Sequence, residues 1–338
     1  MLLMVTRLDV RNLTVELPTQ SGWVRPVNEV SFALNKGETL GIVGESGSGK
    51  TMLSLALMGL APPGARRQGE AWLHQQDSAA DSRGINILTA SPNEMRALRG
   101  REIAMIFQEP MTALNPVMRV GAQIEEAIRV HEDSARQNEI HSRAIQALER
   151  AALPEPELRA RQYPHQLSGG LRQRVMIAMA LAAGPGVLIA DEPSTALDVT
   201  VQKQILELLT TLRKELGLSL LFITHDLGVV AQIADRIIVM YAGRIVEDGP
   251  TMEVLRHPRH PYTEGLLRAA PRLERGRLVP IPGTVPALNA LPPGCAFAPR
   301  CPYHVKECDA EVPELRSANL NHSARCILVP CAQPMTMN

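Results

Sequence analysis

The sequence lacks a net charge, a long apolar run and, in its first 294 residues, any cysteine. Its 35 basic and 35 acidic residues balance, so no global field attracts nucleic acid or an anionic membrane. The apolar run at 175–183 is well short of the roughly 20 residues that a membrane-spanning helix needs, and the N-terminus shows no signal-peptide pattern. The 338 residues therefore predict a soluble, unsecreted protein of about two domains.

Cysteine and proline are concentrated at the C-terminal end. All five cysteines fall in the last 44 residues, and 13 of the 26 prolines lie between His257 and Pro334. Dense proline disfavours long helices, so we predict a small, loop-rich module at 255–338 after a larger domain at 5–254. Cysteines throughout a short chain would be typical of a secreted disulfide scaffold, whereas this crowding indicates a small metal or redox site.

Strand-like and helix-like segments alternate through the larger domain, which predicts an α/β fold with helices on the faces of a parallel sheet. Half-buried strands at 13–17 and 27–34 predict an antiparallel edge. Buried parallel strands are predicted at Thr39–Val43, 187–190 and 218–224. Helical periodicity marks 120–131, 134–153, 171–183 and Val199–Leu216. Successive segments from about residue 91 to residue 182 have helical patterns, which predicts a helical subdomain.

A glycine-rich pattern follows the strand Thr39–Val43. Gly44-Glu45-Ser46-Gly47-Ser48-Gly49-Lys50-Thr51, termed the phosphate loop, fits G-x-x-x-x-G-K-[ST] and opens a helix predicted at 52–60. Its glycines let backbone N–H groups point at a phosphate, and the helix N-terminus adds partial positive charge. We predict that the whole loop binds nucleotide, that Lys50 reaches the β and γ phosphates, and that Thr51 binds Mg²⁺. The alternative, a plain glycine-rich turn, does not explain the strand and helix on either side.

Two acids end a second apolar strand. Asp191 and Glu192 follow Val187-Leu188-Ile189-Ala190, and ligands of parallel sheets bind at the carboxyl ends of the strands. We predict that Asp191 holds the Mg²⁺ of a nucleotide and that Glu192 polarises the attacking water as a general base. An acidic strand end is more often a solvated helix cap, so this assignment depends on the accompanying phosphate loop.

A third motif, Leu167-Ser168-Gly169-Gly170-Leu171-Arg172-Gln173, opens an apolar helix. Ser168 is a good N-cap, and two glycines leave the first amides bare, so a second anion site is chemically reasonable. On its own this segment would be an ordinary capped turn. In this chain order, however, the three motifs resemble the ATP-binding cassette (ABC) family, and residues 167–173 match its signature segment.

The resemblance implies roles for further residues. Gln108 matches the glutamine loop, which touches the metal and the attacking water and contacts membrane subunits. Asp198, in Thr195-Ala196-Leu197-Asp198, matches the loop that crosses the dimer interface, and His225 matches the switch histidine that contacts the γ-phosphate. The adenine-stacking aromatic of the family aligns with Leu17, although Trp23 lies nearby.

The resemblance also implies partners, because in this family the signature segment of one ATPase chain closes over the nucleotide of another. Further segments are similar to the dipeptide and oligopeptide branch of bacterial ABC importers: residues 108–116, 163–166, 257–263, 281–286, 294–297 and 299–302. That branch implies an identical or different second ATPase, two membrane permeases, an extracytoplasmic solute-binding protein, and a peripheral place on the cytoplasmic face of the cell membrane.

Two alternatives to peptide import stay open. Some close relatives of the branch carry nickel or other small solutes. Another class, soluble ABC ATPases of translation or DNA repair, more often shows two cassettes, a long coiled coil or a basic surface. The sequence shows none of these, so we predict import rather than nucleic-acid binding.

Three interpretations of the cysteines compete. The spacing of Cys295, Cys301, Cys308 and Cys326 contains no C-x-x-C pair, so spacing alone indicates neither a common zinc site nor a ferredoxin pattern. They are free thiols, or a Cys₄ zinc site in which His304 or His322 substitutes for a ligand, or the [4Fe-4S] cluster that the resemblance favours, with Cys331 spare. A bound group would staple a module too small to bury its own core.

Overall fold

The computed structural model describes residues 5–20, 22–75, 84–109, 113–132, 136–195, 197–269, 280–319 and 321–329. They form two compact units, each assembled from several stretches of the chain. The first unit comprises residues up to Asp9, Ala33–Glu38 and Trp72–Phe222. The second comprises Val10–Phe32, Thr39–Ala71 and the residues from Ile223 onward.

Strands and helices alternate along the chain, as the sequence predicts. The strands are β1 Thr6–Thr19, β2 Gly22–Asn35, β3 Thr39–Val43, β4 Arg66–Leu73, β5 Ile85–Asn86, β6 Ile103–Ile106, β7 Val187–Asp191, β8 Ser219–Thr224, β9 Arg236–Tyr241, β10 Arg244–Pro250, β11 Arg316–Asn319 and β12 His322–Ala324. The α-helices are α1 Lys50–Leu57, α2 Pro92–Leu98, α3 Val120–Arg129, α4 Gln137–Arg150, α5 Pro156–Ala160, α6 Gly169–Leu181, α7 Val199–Leu216, α8 Leu227–Ile233, α9 Thr251–Arg256 and α10 Pro261–Ala269. Single 3₁₀ turns lie at Pro164–Gln166, Ala298–Arg300 and Lys306–Asp309.

The first unit contains the neighbouring strands β7 and β6 and residues 219–222 of β8, which neighbours β7. β6 and β7 are parallel, with Ile103 opposite Val187. All residues of β6, β7 and β8 are buried, because both faces of these apolar strands are covered. β6 corrects the helical prediction for 91–182: its four apolar residues are too short a run for a helix but fit a strand in the interior.

The second unit contains strands in the order β11-β12-β10-β9-β3. β3 and β9 are parallel, with Ile42 opposite Ile238, whereas β10 is antiparallel to both β9 and β12. Strands β1, β2 and β4 form the separate order β2-β1-β4. The C-terminal strands β11 and β12 therefore continue the sheet that carries the phosphate loop, and the contacts do not separate residues 255–338 as a unit of their own.

A buried polar cluster ties β12 to β10. The Glu247 carboxylate is fully buried and accepts the backbone N–H groups of Arg259 at 2.7 Å and His260 at 2.9 Å. Nε2 of the fully buried His322 lies 2.7 Å from the same carboxylate. Burial lowers the pKa of His260 to about 4, so its neutral Nδ1 accepts the N–H of Tyr262 at 3.1 Å. These bonds hold the start of α10 in a fixed position.

Several predicted elements are found with small changes at their ends. Strand β3 and helix α7 have the predicted bounds. Helix α4 starts at Gln137, and Ser134, where we predicted its start, lies outside the described residues. No helix in the described ranges combines the length and the apolar character that crossing a membrane requires.

Candidate nucleotide-binding site

The phosphate loop joins β3 to α1 in the second unit. Gly49 caps α1 with φ of 102°, a backbone conformation that L side chains rarely adopt. The Lys50 ammonium is buried and donates to the carbonyls of Gly44 at 2.7 Å and Glu45 at 3.0 Å, and to Ser48 Oγ at 3.3 Å. The loop is thus wrapped around its own lysine, whose charge phosphate oxygens can share once a nucleotide binds.

The outer edge of the loop faces solvent. Ser46, Gly47 and Thr51 are exposed, whereas Gly44 and Ser48 are buried. The N-terminus of α1 lies at this edge, so its amides and its partial positive charge are directed toward an incoming anion. These residues fit the phosphate groups and the Thr51–Mg²⁺ contact that the sequence predicts.

Replacing Gly49 with alanine is expected to damage the loop. A Cβ at this position would lie 1.9 Å from the carbonyl oxygen of Pro26, far inside contact distance, and the φ of 102° adds strain. We expect the Gly49→Ala chain to lose about 2–3 kcal/mol of unfolding free energy and most of its nucleotide affinity. Urea unfolding and the binding of the fluorescent analogue mant-ATP measure the two effects.

Gly184→Ala is the matched control for this prediction. Gly184 also has a positive φ, 74°, but a Cβ there would meet nothing within 4 Å. We expect a loss of about 1 kcal/mol from the backbone conformation alone and unchanged mant-ATP affinity. Equal affinities for the Gly49→Ala chain and the wild type would contradict the assigned role of Gly49.

The predicted acidic site lies in the first unit, where β7 ends. Asp191 is 1% exposed, and Glu192 follows with a φ of 47°, which turns the chain sharply away from the strand. The carboxylate oxygen Oε2 of Glu192 accepts from Gln108 Nε2 at 3.1 Å and from Thr195 Oγ1 at 2.8 Å. The structure therefore brings together Gln108 and Glu192, which are 84 positions apart in the sequence.

The signature segment and the Asp198 loop also lie in the first unit. Ser168 caps α6 by accepting the Leu171 N–H at 3.4 Å, and Asp198 caps α7 by accepting the Val201 N–H at 3.0 Å. A Cβ on Gly170 would lie 2.8 Å from a methyl group of Val201, so the starts of α6 and α7 pack closely. Ser168 and Gly169 are exposed, which leaves the predicted anion-binding edge accessible to a partner's nucleotide.

His225 and Leu17 belong to the second unit. His225 is exposed at the end of β8, and the next residue, Asp226, caps α8 by accepting the Gly228 N–H at 2.7 Å. Leu17 is half-buried in β1. Trp23 lies under the Arg66 guanidinium, 3.9 Å from the ring centroid, so one face of that indole is already covered.

The four cysteines of the described ranges line one small pocket together with apolar side chains such as Phe297 and Leu328. This cavity is termed the cysteine pocket. The four cysteines are free thiols, and burial raises the pKa of Cys295, Cys301 and Cys326. Thiols whose pKa is raised in this way are protonated at neutral pH. Cys331 lies outside the described residues.

The cysteine pocket is not arranged around a single metal ion. Within the part of the chain that the structure describes, no group of three or more His, Cys, Asp or Glu residues is placed to hold one. The histidines predicted as substitute ligands have carboxylate partners, since His304 lies 3.0 Å from Asp309 and His322 lies 2.7 Å from Glu247. The sequence prediction of a Cys₄ zinc site therefore lacks its geometry.

Two residues that the motifs did not single out contact the phosphate loop. The Arg300 guanidinium donates to the Glu45 carboxylate, and the Glu45 N–H donates to the Tyr262 hydroxyl. Arg300 and Glu45 are 255 positions apart, so no local pattern links them. Their only signal in the sequence is that each lies in a segment with a family resemblance.

A phosphate loop of this geometry, set between a parallel strand and a helix, defines a P-loop nucleotide-binding protein. The particular family follows from residues 27–195, which match the ABC transporter family model, and from a relative 49% identical over 330 residues. The chain therefore belongs to the ABC transporter family, as an ABC-type ATPase. Residues 246–308 match a second model, the C-terminal region of oligopeptide/dipeptide transporters.

Relatives of known name cover almost the whole chain. A peptide import ATP-binding protein of Brucella melitensis is 49% identical over 330 residues, which cover 95% of this chain and 96% of the relative. The oligopeptide transport ATP-binding protein OppD of Bacillus subtilis is also 49% identical, over 335 residues covering 97% of this chain and 91% of OppD.

Solved structures share the ATPase fold. A dimeric ATP-binding cassette, MJ0796, in a post-hydrolysis state bound to ADP and Pi, matches with a TM-score of 0.63 and 28% identity, covering 72% of this chain and 98% of that one. CbiO1 of Clostridium perfringens, part of the transporter complex cbiONQ, matches with a TM-score of 0.59 and 27% identity, covering 75% and 96%. The parallel-sheet core with an antiparallel sheet is thus confirmed.

Proposed function

We propose that this chain hydrolyses ATP to power the import of di- and oligopeptides through a pair of membrane permeases. The observation that carries the proposal is the Glu192 carboxylate, held at the exit of a buried strand by Gln108 and Thr195. This placement suits a general base for water. The C-terminal match to oligopeptide/dipeptide transporters and the names of the peptide-import relatives support the choice of substrate.

Each proposed site residue has a separate task. The phosphate loop binds the phosphates through its amides. Lys50 gives up its hydrogen bonds to the loop carbonyls and donates to the β and γ phosphate oxygens instead. Glu192 takes a proton from the attacking water, while Gln108 orients that water and His225 contacts the γ-phosphate. Thr51, Gln108 and Asp191 would hold Mg²⁺, which would supply positive charge to neutralise the phosphates. Positioning and charge stabilisation supply most of the rate increase.

A second ATPase chain is part of the proposal. Ser168, Gly169 and Gly170 are exposed or half-exposed at the N-terminus of α6, where their amides suit the γ-phosphate bound by another chain. Asp198 lies at the start of α7, next to that edge in the same unit. ATP would then join the two chains, and hydrolysis would release them.

The membrane and its subunits are the proposed setting. We place the chain at the cytoplasmic face of the cell membrane, bound to two permeases that receive solute from an extracytoplasmic binding protein. The proposed domain division stays at 5–254 for the ATPase, with a helical subdomain at about 91–182, and 255–338 for the C-terminal region. The match at 246–308 favours transport over the translation or repair class.

An iron–sulfur cluster is the occupant that we propose for the cysteine pocket. Four thiols line one apolar pocket, and among the described residues they are not placed as the ligands of a single metal ion. A [4Fe-4S] cluster would be held by the thiolates of Cys295, Cys301, Cys308 and Cys326, because such clusters take four cysteine ligands. When bound, it would staple the C-terminal loops. Metal analysis after anaerobic purification separates iron with sulfide from zinc.

Reconstitution tests the transport proposal. The tagged chain is produced together with the proposed permeases and second ATPase, purified in detergent and placed in proteoliposomes. We expect the permeases to co-purify, and peptide-loaded binding protein to stimulate hydrolysis severalfold. A parallel experiment supplies nickel instead of peptide. Stimulation of hydrolysis by nickel alone would show that the transported solute is nickel and not peptide. A chain that never associates with permeases would overturn the transport function.

A further inference from the structure

Glu45 of the phosphate loop is held from two sides by residues of the C-terminal region. The Arg300 guanidinium donates from Nη1 to Oε2 of Glu45 at 2.7 Å and from Nη2 to Oε1 at 3.0 Å. The Glu45 backbone N–H donates to the Tyr262 hydroxyl oxygen at 2.8 Å. The fork of two parallel bonds fixes the side chain, and the third bond fixes the backbone of the same residue.

Arg300 is itself held rigidly. Its side chain is only 4% exposed, and its Nε donates to the Pro282 carbonyl at 2.9 Å. Nη1 also donates to the Tyr241 hydroxyl at 3.3 Å, and the bonds to Glu45 raise the pKa of Arg300. A buried, charged guanidinium with these partners has little freedom to follow a moving loop, so it sets the position of Glu45.

The backbone around Arg300 is equally fixed. Arg300 ends the 3₁₀ turn Ala298–Arg300, which lies between Cys295 and Cys301. The Ala298 N–H donates to the Cys295 carbonyl at 3.0 Å, and the Cys295 N–H donates to the Cys308 carbonyl at 2.8 Å. The turn that presents Arg300 is thus braced by the segments that carry the cysteine pocket.

Glu45 needs this partner because of where it lies. A carboxylate in a phosphate loop repels the anionic phosphates that the loop must bind, and its side chain is 30% exposed. The Glu45 carbonyl also accepts from Lys50 Nζ at 3.0 Å, so movement of Glu45 moves an acceptor of the phosphate-binding lysine. Arg300 neutralises the Glu45 charge that repels the phosphates, and it prevents the movement of Glu45 that would displace an acceptor of Lys50.

We propose that Arg300 is a positioning residue for ATP binding, which acts from the C-terminal region by clamping and neutralising Glu45. The inference rests on the proposed ATPase site and adds to it a residue outside the cassette motifs. It does not touch the nucleotide. Its effect reaches ATP through Glu45 and Lys50, so it governs affinity rather than the chemical step.

Nucleotide affinity of the full-length chain tests the inference, with mant-ATP as the probe. We expect Arg300→Gln to raise the Kd about tenfold, because the unpaired Glu45 charge then faces the phosphates at an intermediate dielectric. In the reconstituted transporter, KM for ATP should rise by the same factor with kcat within about twofold. Glu45→Gln added to Arg300→Gln should restore most of the affinity, since it removes the charge that Arg300 neutralises.

Arg325→Gln is the structural control. Arg325 is also largely buried in the C-terminal region, but it donates to the backbone carbonyls of Ile245 and Pro313. We expect it to lower the melting temperature with an unchanged Kd. Equal Kd increases for the two arginine variants, or no rescue by Glu45→Gln, would overturn the positioning role. A wild-type chain that fails to bind mant-ATP would overturn the proposed function instead.

Discussion

Replacing Glu192 with glutamine is expected to lower ATP hydrolysis by the assembled transporter about a thousandfold and to leave ATP binding unchanged. The amide has the shape of the carboxylate but cannot accept a proton from water. It keeps an oxygen that can accept from Thr195, whose Oγ1 donates to Glu192 at 2.8 Å in the wild type. Phosphate release at saturating ATP measures turnover, and mant-ATP titration measures affinity.

The geometry around Glu192 explains why the loss should fall on kcat. Gln108 Nε2 lies 3.1 Å from Glu192 Oε2, so the base is held by a neutral donor that orients it without protonating it. The φ of 47° at Glu192 places a non-glycine residue in the left-handed region, a strain that is concentrated at functional sites. The phosphate loop, which supplies affinity, is not changed by the substitution.

Glu207→Gln is the control for this experiment. Glu207 lies on α7 in the same unit, exposed and 3.9 Å from Lys203, and an exposed pair of this kind contributes little. We expect turnover within about twofold of the wild type. Hydrolysis by the Glu192→Gln complex at the wild-type rate would show that another group accepts the proton.

Local sequence patterns correctly predict several strands and helices of the nucleotide site. β3 was predictable because a short β-rich apolar run ends at glycines, and α7 because an aspartate cap precedes a long amphipathic period that Gly217 ends. β6 was missed because its four residues, Ile103–Ile106, lie between helical segments and carry no turn signal strong enough to separate them. Short buried strands depend on the rest of the sheet rather than on their own pattern.

Local sequence patterns do not predict contacts between residues that are far apart in the chain. The spacing of the cysteines gives no C-x-x-C pair, yet the fold brings all four described cysteines to one pocket. Likewise, the Arg300–Glu45 pair joins residues 255 positions apart, and nothing near either residue indicates the other. Such pairs are decided by tertiary packing, in this case by β9, β10 and the C-terminal strands continuing one sheet.

Replacing Lys50 with alanine is expected to raise the Kd for mant-ATP at least about a hundredfold, because two charge-assisted bonds to phosphate oxygens are lost. The wild-type ammonium donates to the carbonyls of Gly44 and Glu45, so its removal also takes away a donor from both carbonyls. Fluorescence titration of the full-length chain measures the affinity, and circular dichroism with thermal melting verifies that the variant is folded.

Lys203→Ala is the matched control for Lys50→Ala, since Lys203 is exposed on α7, where its ammonium lies 3.9 Å from Glu207. Its removal should leave the Kd within about twofold of the wild type. Lys50→Arg keeps the charge in a planar, bulkier group that cannot fit the same three acceptors, so we expect an affinity between those of the wild type and Lys50→Ala. If folded Lys50→Ala bound mant-ATP as tightly as Lys203→Ala, the phosphates would have to bind through the loop amides alone, and the role assigned to Lys50 would be wrong.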